Sequence, residues 1–369
     1  MSSTRIQVDV VVVGAGIAGL WLLDLLRGQG YSVAICDPGP IGGRQTMLSQ
    51  GIIHGGLKYA LGAHLTRDSE AIAEMPKRWR ARPDLPIVHD HYYLWAPKTL
   101  SGTLTSFLAS RLVRGRVEKV DSGLRPAPFA STRGTLYRLE DFVIDVPALI
   151  RQLALKHAQA FLPIRVDATN LTRNPDGSIA VLRAAGVELT AQRYVFAAGA
   201  GNEDLVDHSM QRRPLRQVLV RGAEVGAIFA HCLTRVSDEP ALTITTHGPD
   251  SILYIGGRVA SALCAGPETE QIEATRQELA TCFPNVDWND AQFENVSVDR
   301  AEPAQNDLRR PDEAFVSAES NAIVCWPTKL TLAPDLGDRV LDILADTKPM
   351  PSFWQGNPQP SLEFASPPW

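Results

Sequence analysis

The chain has 369 residues, a formal net charge of −5, 44% hydrophobic residues and 21% charged residues. This length allows two domains that each bury a core, and the mildly acidic balance gives no electrostatic reason to expect nucleic acid or an anionic membrane as a partner. The cysteines are odd in number and scattered, without a C-x-x-C pair: Cys36, Cys232, Cys264, Cys282 and Cys325. This usage favours a reducing cytoplasm over a disulfide framework and predicts no compact zinc site.

The first predicted unit, residues 8–38, has the pattern strand, glycine turn, helix, strand and acidic end. Its β-branched run, residues 9–13, is short enough for a buried parallel strand. Gly14, Gly16 and Gly19 follow at the G-x-G-x-x-G spacing. In such units the first glycine allows the tight turn, the second lets the backbone approach a pyrophosphate, and the third lets the helix pack close to the strand. The stretch therefore predicts a dinucleotide-binding βαβ unit.

The residues at the start of the predicted helix that bring free backbone N–H groups to the phosphates are Ala15, Ile17 and Ala18. The second strand, residues 31–36, ends in Asp37 and Pro38. A carboxylate at this point accepts hydrogen bonds from a ribose 2′-OH and disfavours the extra phosphate of NADP. The pattern alone leaves both FAD and NAD open.

The first stretch has two other interpretations. One is a glycine turn without a ligand. The other is a secretory signal, because residues 10–26 are mostly apolar, but the glycines, Asp24 inside the run and the absence of a small-residue cleavage site argue against it. No other run reaches the length needed to span a bilayer, so the sequence predicts no transmembrane segment.

A polar, glycine-rich loop follows over residues 38–62 and is too long for a plain connection. The residues in it that could meet the phosphate, ribitol and ring portions of a cofactor are Arg44, Gln45, Thr46, Ser49, Gln50 and Gly51. The loop resembles the corresponding segment of the D-amino-acid-oxidase-like, or glutathione reductase type 2, flavoproteins, and its run IIHGGLKY is similar to that of FAD-dependent glycerol-3-phosphate dehydrogenases. The alternative is an ordinary mobile loop.

The next stretch has the composition of a second domain. We expect a helix over residues 67–85, a strand over 88–95, an amphipathic helix over 99–120, and a helix that begins near Asp145 and Pro147. His89 and His91 project to one side of the predicted strand and suggest a metal site. No third ligand has matching context, so we interpret them as polar strand positions and predict no metal.

The middle of the chain returns to the first domain in the resembled family. The pattern predicts a strand over residues 164–171, and the resemblance implies that the backbone of Val166 meets the adenine. A hairpin is expected through NPDGS, residues 174–178, with strands over 180–184 and 189–196. The run RYVFAAGAGN resembles the family's second signature, which implies that its residues Ala198 and Gly199 pass close under the cofactor.

Strand-like runs with few helices then indicate a mixed or antiparallel sheet. They cover residues 213–221, 241–246, 251–259 and 296–299, and a helix is expected over 268–283. In this arrangement Tyr254 and Arg258 would face a pocket, with a solvated or structural role as the alternative for each.

From residue 322 the chain predicts a strand, a polar turn and a helix opened by Pro334 and Asp335. The resemblance implies that the turn residues Lys329, Leu330 and Thr331 face the pyrimidine side of the flavin. A lysine or a positive helix end there would stabilise the negative charge of the reduced ring. Lys329 as a plain surface lysine is the alternative.

The three signatures imply a discontinuous FAD-binding domain with a substrate domain inserted in two pieces. The predicted FAD-binding domain covers residues 1–85, 140–215 and 301–348, the substrate domain covers 86–139 and 216–300, and the proline-rich tail 349–369 is either surface-bound or disordered. The predicted fold class is α/β, a Rossmann-like domain with an inserted α+β domain on a mixed, largely antiparallel sheet.

We expect FAD, because a simple NAD dehydrogenase would lack the long polar loop and the C-terminal turn and helix. The resemblance implies noncovalent attachment, since no cysteine or histidine stands at a matching attachment position of the family. No second G-x-G-x-x-G occurs in mid-chain, so the electrons should come directly from the substrate. The expected reaction is hydride transfer to flavin N5 from a C–H bond next to an amine or hydroxyl, in which the protein supplies orientation and electrostatics. The candidate catalytic residues are His54, Lys58, Tyr254, Arg258, Arg300 and Lys329.

One departure from the family concerns the substrate anion, which needs an arginine or lysine in the pocket. Glu302 stands where an arginine is expected, which leaves open whether Arg300 replaces it. This departure counts against both the glycine-oxidase and the glycerol-3-phosphate activity. The alternatives are a hydroxy-compound dehydrogenase that passes electrons to a quinone, and a non-enzymatic or sensor flavoprotein. The expected partner is a small-molecule substrate, and the expected assembly is a monomer or a small homo-oligomer.

Overall fold

The computed structural model describes residues 4–56, 68–100, 116–235, 237, 239–305, 311, 313–351, 354, 356–358 and 360–369. The strands are β1 (Thr4–Val13), β2 (Val33–Cys36), β3 (Ile52–Ile53), β4 (Ile87–His89), β5 (Tyr92–Ala96), β6 (Val117–Val120), β7 (Thr135–Leu139), β8 (Phe142–Ile144), β9 (Phe161–Leu162), β10 (Leu171–Arg173), β11 (Ile179–Ala184), β12 (Val187–Phe196), β13 (Met210–Arg221), β14 (Ala230–Cys232), β15 (Leu242–His247), β16 (Ile252–Gly256), β17 (Gln292–Pro303), β18 (Phe315–Glu319) and β19 (Ala322–Trp326). The helices are α1 (Ile17–Gly28), α2 (Asp68–Arg80), α3 (Val146–Lys156), α4 (Arg258–Ser261), α5 (Glu268–Cys282) and α6 (Ala333–Ile343).

The chain divides into two compact units. Unit 1 comprises residues 1–49, 146–213 and 300–367, and unit 2 comprises residues 50–145, 214–299 and 368–369. Among the described residues, 50–56, 68–85, 140–145 and 214–215, which the predicted boundaries give to the FAD-binding domain, belong to unit 2, whereas Arg300, predicted in the substrate domain, belongs to unit 1. The assignment of the cofactor to one domain and the substrate to the other stays a prediction.

Unit 1 is built on a parallel sheet with β1 at its centre. Val10, Val11 and Val12 are fully buried, as β-branched residues are in a strand covered on both faces. β1 pairs in parallel with β2 and β12, and β9 and β19 extend the sheet beyond them. β18 and the β10–β11 pair add antiparallel strands. The predicted Rossmann-like α/β arrangement is confirmed.

The helix that follows the glycine turn packs closely against α6. A Cβ at Gly337 would lie 2.7 Å from Cδ2 of Leu25 and 3.1 Å from Nε1 of Trp21. The side of α1 toward α3 is fixed by Asp24, whose carboxylate lies 2.7 Å from Nζ of Lys156. These contacts position the start of α1 at the carboxyl ends of the parallel strands.

Unit 2 is built on a sheet with the strand order β17-β13-β16-β15-β14-β5-β7-β6. The β5–β14 pair is parallel, whereas β5–β7, β6–β7, β14–β15, β15–β16 and β13–β16 are antiparallel. Leu279 of α5 and Phe283 just beyond it pack on one face of this sheet with Val218, Ile244 and Ile255. The predicted mixed, largely antiparallel sheet is confirmed. A small antiparallel sheet, β3-β8-β4, completes unit 2.

Several predicted elements differ from the observed ones. The strand expected over residues 88–95 is two strands, β4 and β5, separated by Asp90 and His91. The end of the expected helix 99–120 is the strand β6, while residues 101–115 lie outside the described residues. Val117 and Val120 are β-branched, which favours a strand where it can pair with β7.

The strand predicted over residues 164–171 is also wrong. Pro163 ends β9, and a capping box between Asp167 and Asn170 closes a 3₁₀ turn at residues 168–170. Val166 therefore lies on a coil segment, partly buried against the core of unit 1. The NPDGS turn joins β10 to β11, and Ala185–Gly186 forms the turn between β11 and β12.

Among the described residues, no helix is long and apolar enough to cross a membrane. The same residues contain no group of three or more metal-ligating side chains. His89 Nδ1 lies 2.6 Å from the carbonyl oxygen of His91, and the His89 ring stacks on Phe229 at 4.4 Å. These contacts give His89 a structural role at the end of β4.

Candidate functional site

The glycine turn of unit 1 is closed so tightly that side chains would not fit. Gly14 has φ +105°, and a Cβ on it would lie 2.6 Å from Cα of Ala198. A Cβ on Gly19 would lie 1.8 Å from the carbonyl oxygen of Gly14. The turn thus meets the predicted second signature, and α1 approaches β1 as the G-x-G-x-x-G spacing requires.

Thr46 fastens the long loop to the start of α1. Its hydroxyl accepts the N–H of Ile17 at 3.1 Å, and a Cβ on Gly16 would lie 3.1 Å from the same oxygen. The N–H of Gly42 donates to the carbonyl oxygen of Ala15 at 2.9 Å. The loop therefore lies beside the helix N-terminus, where backbone N–H groups and the helix dipole favour a phosphate.

The carboxylate of Asp37 accepts hydrogen bonds from two backbone N–H groups. Its Oδ2 accepts the N–H of Ala15 at 2.6 Å, and its Oδ1 accepts the N–H of Gly39 at 2.7 Å. Each carboxylate oxygen has a second lone pair, so a ribose hydroxyl can still be accommodated. The ribose role of Asp37 stays a prediction, and Pro38 beside it is exposed.

Gln45 joins the loop to two other segments of unit 1. Its Oε1 accepts the N–H of Ala301 at 3.1 Å and lies 3.7 Å from the point where a Cβ of Gly199 would stand. The carbonyl oxygen of Gly199 accepts Nε1–H of Trp326 at 3.0 Å. The loop, the second signature and the end of β17 therefore meet at this side chain.

Asn202, the last residue of the run RYVFAAGAGN, belongs to the turn after β12, although the sequence pattern did not predict it as a site residue. It is fully buried, its Oδ1 accepts the N–H of Ala198 at 3.0 Å, and its amide donates to the carbonyl oxygen of Phe196 at 3.2 Å. Asn202 thus shapes the turn that passes over Gly14. An asparagine that closes an otherwise apolar, glycine-ended strand was the available signal.

Lys329 and Thr331 are buried, with exposed fractions of 5% and 1%, and Leu330 is half-buried. They form the 3₁₀ turn that leads into α6, where the carbonyl oxygen of Lys329 accepts the N–H of Leu332 at 3.0 Å. The burial of Lys329 contradicts the alternative of a plain surface lysine. Its role toward a flavin stays a prediction.

Two other candidate residues of the loop, Arg44 and Ser49, form hydrogen bonds through their backbone. Arg44 is exposed with φ +60°, and its carbonyl oxygen accepts the N–H of Leu48 at 3.3 Å. The N–H of Ser49 donates to the carbonyl oxygen of Thr46 at 3.2 Å. Neither contact excludes a ligand at these side chains.

Gln50 belongs to unit 2 and is fixed by its sheet. Its amide donates to the carbonyl oxygens of Thr243 and Tyr254 at 2.9 and 2.7 Å. Gly51, with φ +72°, accepts the N–H of Ile144 at 2.9 Å. Both residues therefore hold the beginning of unit 2 in place, and direct contact with a cofactor stays a prediction for them.

Tyr254 lies on the face of the unit 2 sheet opposite the main core. Its hydroxyl donates to Oε1 of Gln217 at 2.8 Å, and burial raises its pKa. His247 lies on the same face with its Nε2 2.8 Å from Oγ1 of Thr245, and Trp369 stacks on it at 3.8 Å. Side chains of a strand alternate between the two faces of a sheet, so every second residue of β13, β15 and β16 lies on this polar and aromatic face.

The candidate residues for binding or orienting an anionic substrate are divided between the two units. Arg258 begins α4, instead of lying on a strand as predicted, and its guanidinium lies 2.6 Å from Oε1 of Glu278. Arg300 is half-buried in unit 1, and its Nε donates to the carbonyl oxygen of Arg213 at 3.3 Å. His54 is buried with an exposed fraction of 5% in unit 2. Lys58 lies outside the described residues.

Glu302, the departure from the family pattern, is a buried partner of Arg213. Its exposed fraction is 1%, its Oε1 lies 2.7 Å from Nε of Arg213, and it also accepts from Nε2 of Gln211 at 2.9 Å. This carboxylate is therefore part of the core of unit 1.

Unit 1 fits a dinucleotide. The close approach of Gly14 to Ala198 would be blocked by any side chain, and Thr46 and Ala15 hold the loop beside the helix N-terminus. A parallel sheet with this glycine turn at the carboxyl ends of its strands defines a dinucleotide-binding protein of the Rossmann-like class.

The comparisons with known proteins specify the family. A model of the DAO family, described as FAD dependent oxidoreductase, matches residues 9–324, and the chain belongs to this family. The chain is 42% identical over 387 aligned positions to the probable FAD-dependent oxidoreductase PA4991 of Pseudomonas aeruginosa, with 99% of this chain and 98% of that protein covered. Its crystal structure superposes with a TM-score of 0.83 at 36% identity, covering 100% of this chain and 99% of that one.

More distant structures share the fold. Glycine oxidase of Geobacillus kaustophilus has a TM-score of 0.67 at 17% identity, with 98% of this chain and 99% of that chain covered. Dithionite-reduced L-alpha-glycerophosphate oxidase of Mycoplasma pneumoniae with FAD bound has a TM-score of 0.66 at 14% identity, with the same two coverages. The resemblance to both kinds of enzyme is confirmed at the level of fold, and the protein is an FAD-dependent oxidoreductase.

Proposed function

We propose that the protein oxidises a C–H bond next to an amine or hydroxyl group of a small anionic substrate. FAD, when bound, supplies the acceptor for the hydride at flavin N5. The observation that carries the proposal is the meeting of Gly14, Thr46 and Ala198 around the start of α1, where a side chain at Gly14 would collide with Ala198. The chain's own contribution is to hold the cofactor and to orient the substrate.

The proposed cofactor contacts follow from this geometry. The N–H groups of Gly16 and Ala18 are proposed to hold the pyrophosphate, because those of Ala15 and Ile17 already donate to Asp37 and Thr46. Asp37 would accept from the ribose, and Ala198 and Gly199 would provide a surface without bulky side chains. Lys329 is buried in the turn before α6, where a positive charge stabilises negative charge on a reduced ring. The attachment is proposed to be noncovalent.

We propose that Arg300, and not Arg258, binds the anionic group of the substrate. Arg300 precedes Ala301, whose N–H is bonded to Gln45 of the cofactor loop. The charge of Arg258 is already compensated by Glu278 at 2.6 Å. His54 is proposed as the base or orienting group, and Lys58 as a further cation.

Anaerobic titration of the purified holoenzyme tests the function. A panel of amines, amino acids, 2-hydroxy acids and glycerol phosphate is added, and loss of the visible flavin absorbance is followed. At least one compound should reduce the flavin, and the class that does so identifies the donor group. Protein purified without flavin would contradict the cofactor assignment, and a flavin that no compound reduces would contradict the proposed donors.

Arg300→Gln and Arg258→Gln form a matched pair for the anion site. We expect Arg300→Gln to raise KM for the reducing compound by about tenfold or more, because a charge-assisted hydrogen bond is lost. Arg258→Gln should lower stability and leave KM within about twofold. Unchanged kinetics in Arg300→Gln would remove Arg300 from the site.

We further propose that the protein is a monomer or a small homo-oligomer, which light scattering would measure.

We also propose that it occupies a reducing compartment such as the cytoplasm. The support for this compartment is that all five cysteines are free, four of them buried. Thiol titration of protein unfolded without reductant should find five thiols. A disulfide in freshly isolated protein would contradict the compartment.

A further inference from the structure

The C-terminal tail contacts unit 1 at successive points, first at its central strand and then at the edge strand β9. In the central strand β1, Oδ1 of Asp9 accepts the N–H of Met350 at 2.9 Å. Beside the edge strand β9, the N–H of Asn357 donates to the carbonyl oxygen of Gln159 at 2.7 Å, and its amide donates to that of Phe161 at 3.1 Å. The tail thereby covers a strand edge that would otherwise be open.

The last of these contacts reaches the cofactor loop. The N–H of Ile41 donates to the carbonyl oxygen of Glu363 at 2.7 Å, and the carbonyl oxygen of Ile41 accepts the N–H of Ala365 at 3.0 Å. Between them, the ring of Phe364 lies 4.4 Å from the guanidinium carbon of Arg151. Residues 363–365, which we call the tail brace, thus bond both the N–H and the carbonyl oxygen of Ile41.

Ile41 is directly joined to the part of the loop that touches the glycine turn. The next residue, Gly42, donates its N–H to the carbonyl oxygen of Ala15, and a Cβ on Gly42 would lie 2.9 Å from Ile150 of α3. On the other side, the N–H of Asp37 donates to the carbonyl oxygen of Leu162 at 3.2 Å. The segment from Asp37 to Gly42 is thus fixed by the glycine turn, by β9 and by the tail brace.

We propose that the tail brace is a positioning element for the cofactor, which keeps residues 37–46 in the conformation that binds FAD. Preorganisation of a binding loop raises affinity because the loop pays less ordering entropy when the ligand binds. Without the brace, Ile41 loses two backbone hydrogen bonds and the loop samples other conformations. The inference rests on FAD as the cofactor and is independent of the substrate.

Two truncations separate the brace from the rest of the tail. Ending the chain after Pro360 removes the brace, whereas ending it after Ser366 keeps the brace and removes Trp369. We expect the Kd for FAD, measured by flavin fluorescence on apoprotein, to rise about tenfold in the shorter chain and to stay within about twofold in the longer one. Trypsin should also cleave after the exposed Arg44 faster in the shorter apoprotein. Below the unfolding transition, the rate of this cleavage reports the order of the loop and not the global stability of the protein.

Point variants keep the test valid if the shorter chain does not fold. Ala365→Pro removes the N–H that donates to Ile41, Ala365→Gly retains it, and Ser366→Pro introduces a proline one residue further on. Only Ala365→Pro should raise the Kd and speed cleavage after Arg44. Equal Kd values for Ala365→Pro, Ala365→Gly and wild type would overturn the brace, whereas failure of the wild-type apoprotein to bind FAD would overturn the cofactor assignment itself.

Discussion

At the scale of single residues, glycine 19 shows how closely the sequence dictates the cofactor turn. The G-x-G-x-x-G spacing predicts that Gly19 permits close packing of helix and strand, and a Cβ there would lie 1.8 Å from the carbonyl oxygen of Gly14. The backbone cannot move away without shifting α1 from β1. The requirement is therefore steric, and it can be tested separately from ligand contacts.

Gly19→Ala should destabilise the protein by about 2 kcal/mol, because overpacking forces the backbone to shift. FAD binding should weaken as well, since the helix N-terminus moves. Gly28→Ala is the matched control, because a Cβ there meets nothing within 4 Å and alanine is the better helix former. Chemical unfolding and FAD titration measure both effects, and a Gly19→Ala protein as stable as Gly28→Ala would contradict the packing argument.

His247 gives the protein a dependence on pH. Burial lowers its pKa to about 4, below the ordinary value of 6.5. Because the folded state binds this proton less well than the unfolded state, the stability present above pH 6.5 is lost as the pH falls toward 4. Between pH 7 and pH 5 the loss should be about 2 kcal/mol from this residue.

His247→Phe keeps an aromatic ring beside Trp369 and removes the titrating group. The free energy of unfolding of this variant should fall less between pH 7 and pH 5 than that of the wild type. Unfolding by urea at several pH values measures the difference in slope. Identical slopes would show that His247 is not the group responsible.

At the scale of elements, a buried ion pair joins β13 to the end of β17. Arg213 and Glu302 have side-chain exposed fractions of 19% and 1%. Removing one partner leaves a buried charge uncompensated, so Glu302→Gln should cost about 3 kcal/mol. The exposed pair Arg212–Glu203, with 44% and 51%, is the control.

Glu203→Gln should cost less than about 1 kcal/mol, since exposed ion pairs contribute little. Thermal and chemical unfolding of the two variants compare the pairs directly. Equal losses would mean that the Arg213–Glu302 pair is solvated in solution.

The side chain of Gln50 attaches the first residues of unit 2 to its main sheet. Gln50→Glu replaces the amide donor by an acceptor that faces the carbonyl oxygens of Thr243 and Tyr254. We expect a loss of about 2 kcal/mol in the free energy of unfolding, because two buried acceptors lose their donor. Gln152→Glu, at an exposed helix position, should change stability by less than about 0.5 kcal/mol. A Gln50→Glu protein that unfolds like Gln152→Glu would contradict the attachment.

At the scale of the whole molecule, cofactor and stability are linked. A ligand that binds only the folded state stabilises it by about 2.7 kcal/mol at 100 times its Kd. Thermal unfolding of apoprotein should therefore shift to higher temperature when FAD is added. Riboflavin, which lacks the pyrophosphate and adenine, should give a much smaller shift, and an equal shift would show that the glycine turn is not the main binding element.

The resemblance of several segments to known flavoproteins indicated the FAD-dependent family. The sequence by itself determined the order of elements around the glycine turn and the Rossmann-like α/β class. This was possible because backbone requirements at Gly14 and Gly19 are local and the spacing of such residues is readable along the chain. The same local reasoning failed for residues 164–171, where Pro163 and the Asp167–Asn170 capping box outweigh a β-like composition. It also placed Arg258 on a strand, although the backbone turns at Gly257, with φ +88°, to begin α4.

Only the tertiary structure decided which distant groups meet. That Gln45 accepts from Ala301, that Glu302 pairs with Arg213, and that residues 363–365 hold Ile41 depend on contacts across more than 80 positions of the chain, for which spacing carries no signal. The physical reason is that a glycine turn follows from local steric limits on the backbone, whereas an ion pair or a tail contact exists only once the sheet has brought its partners together.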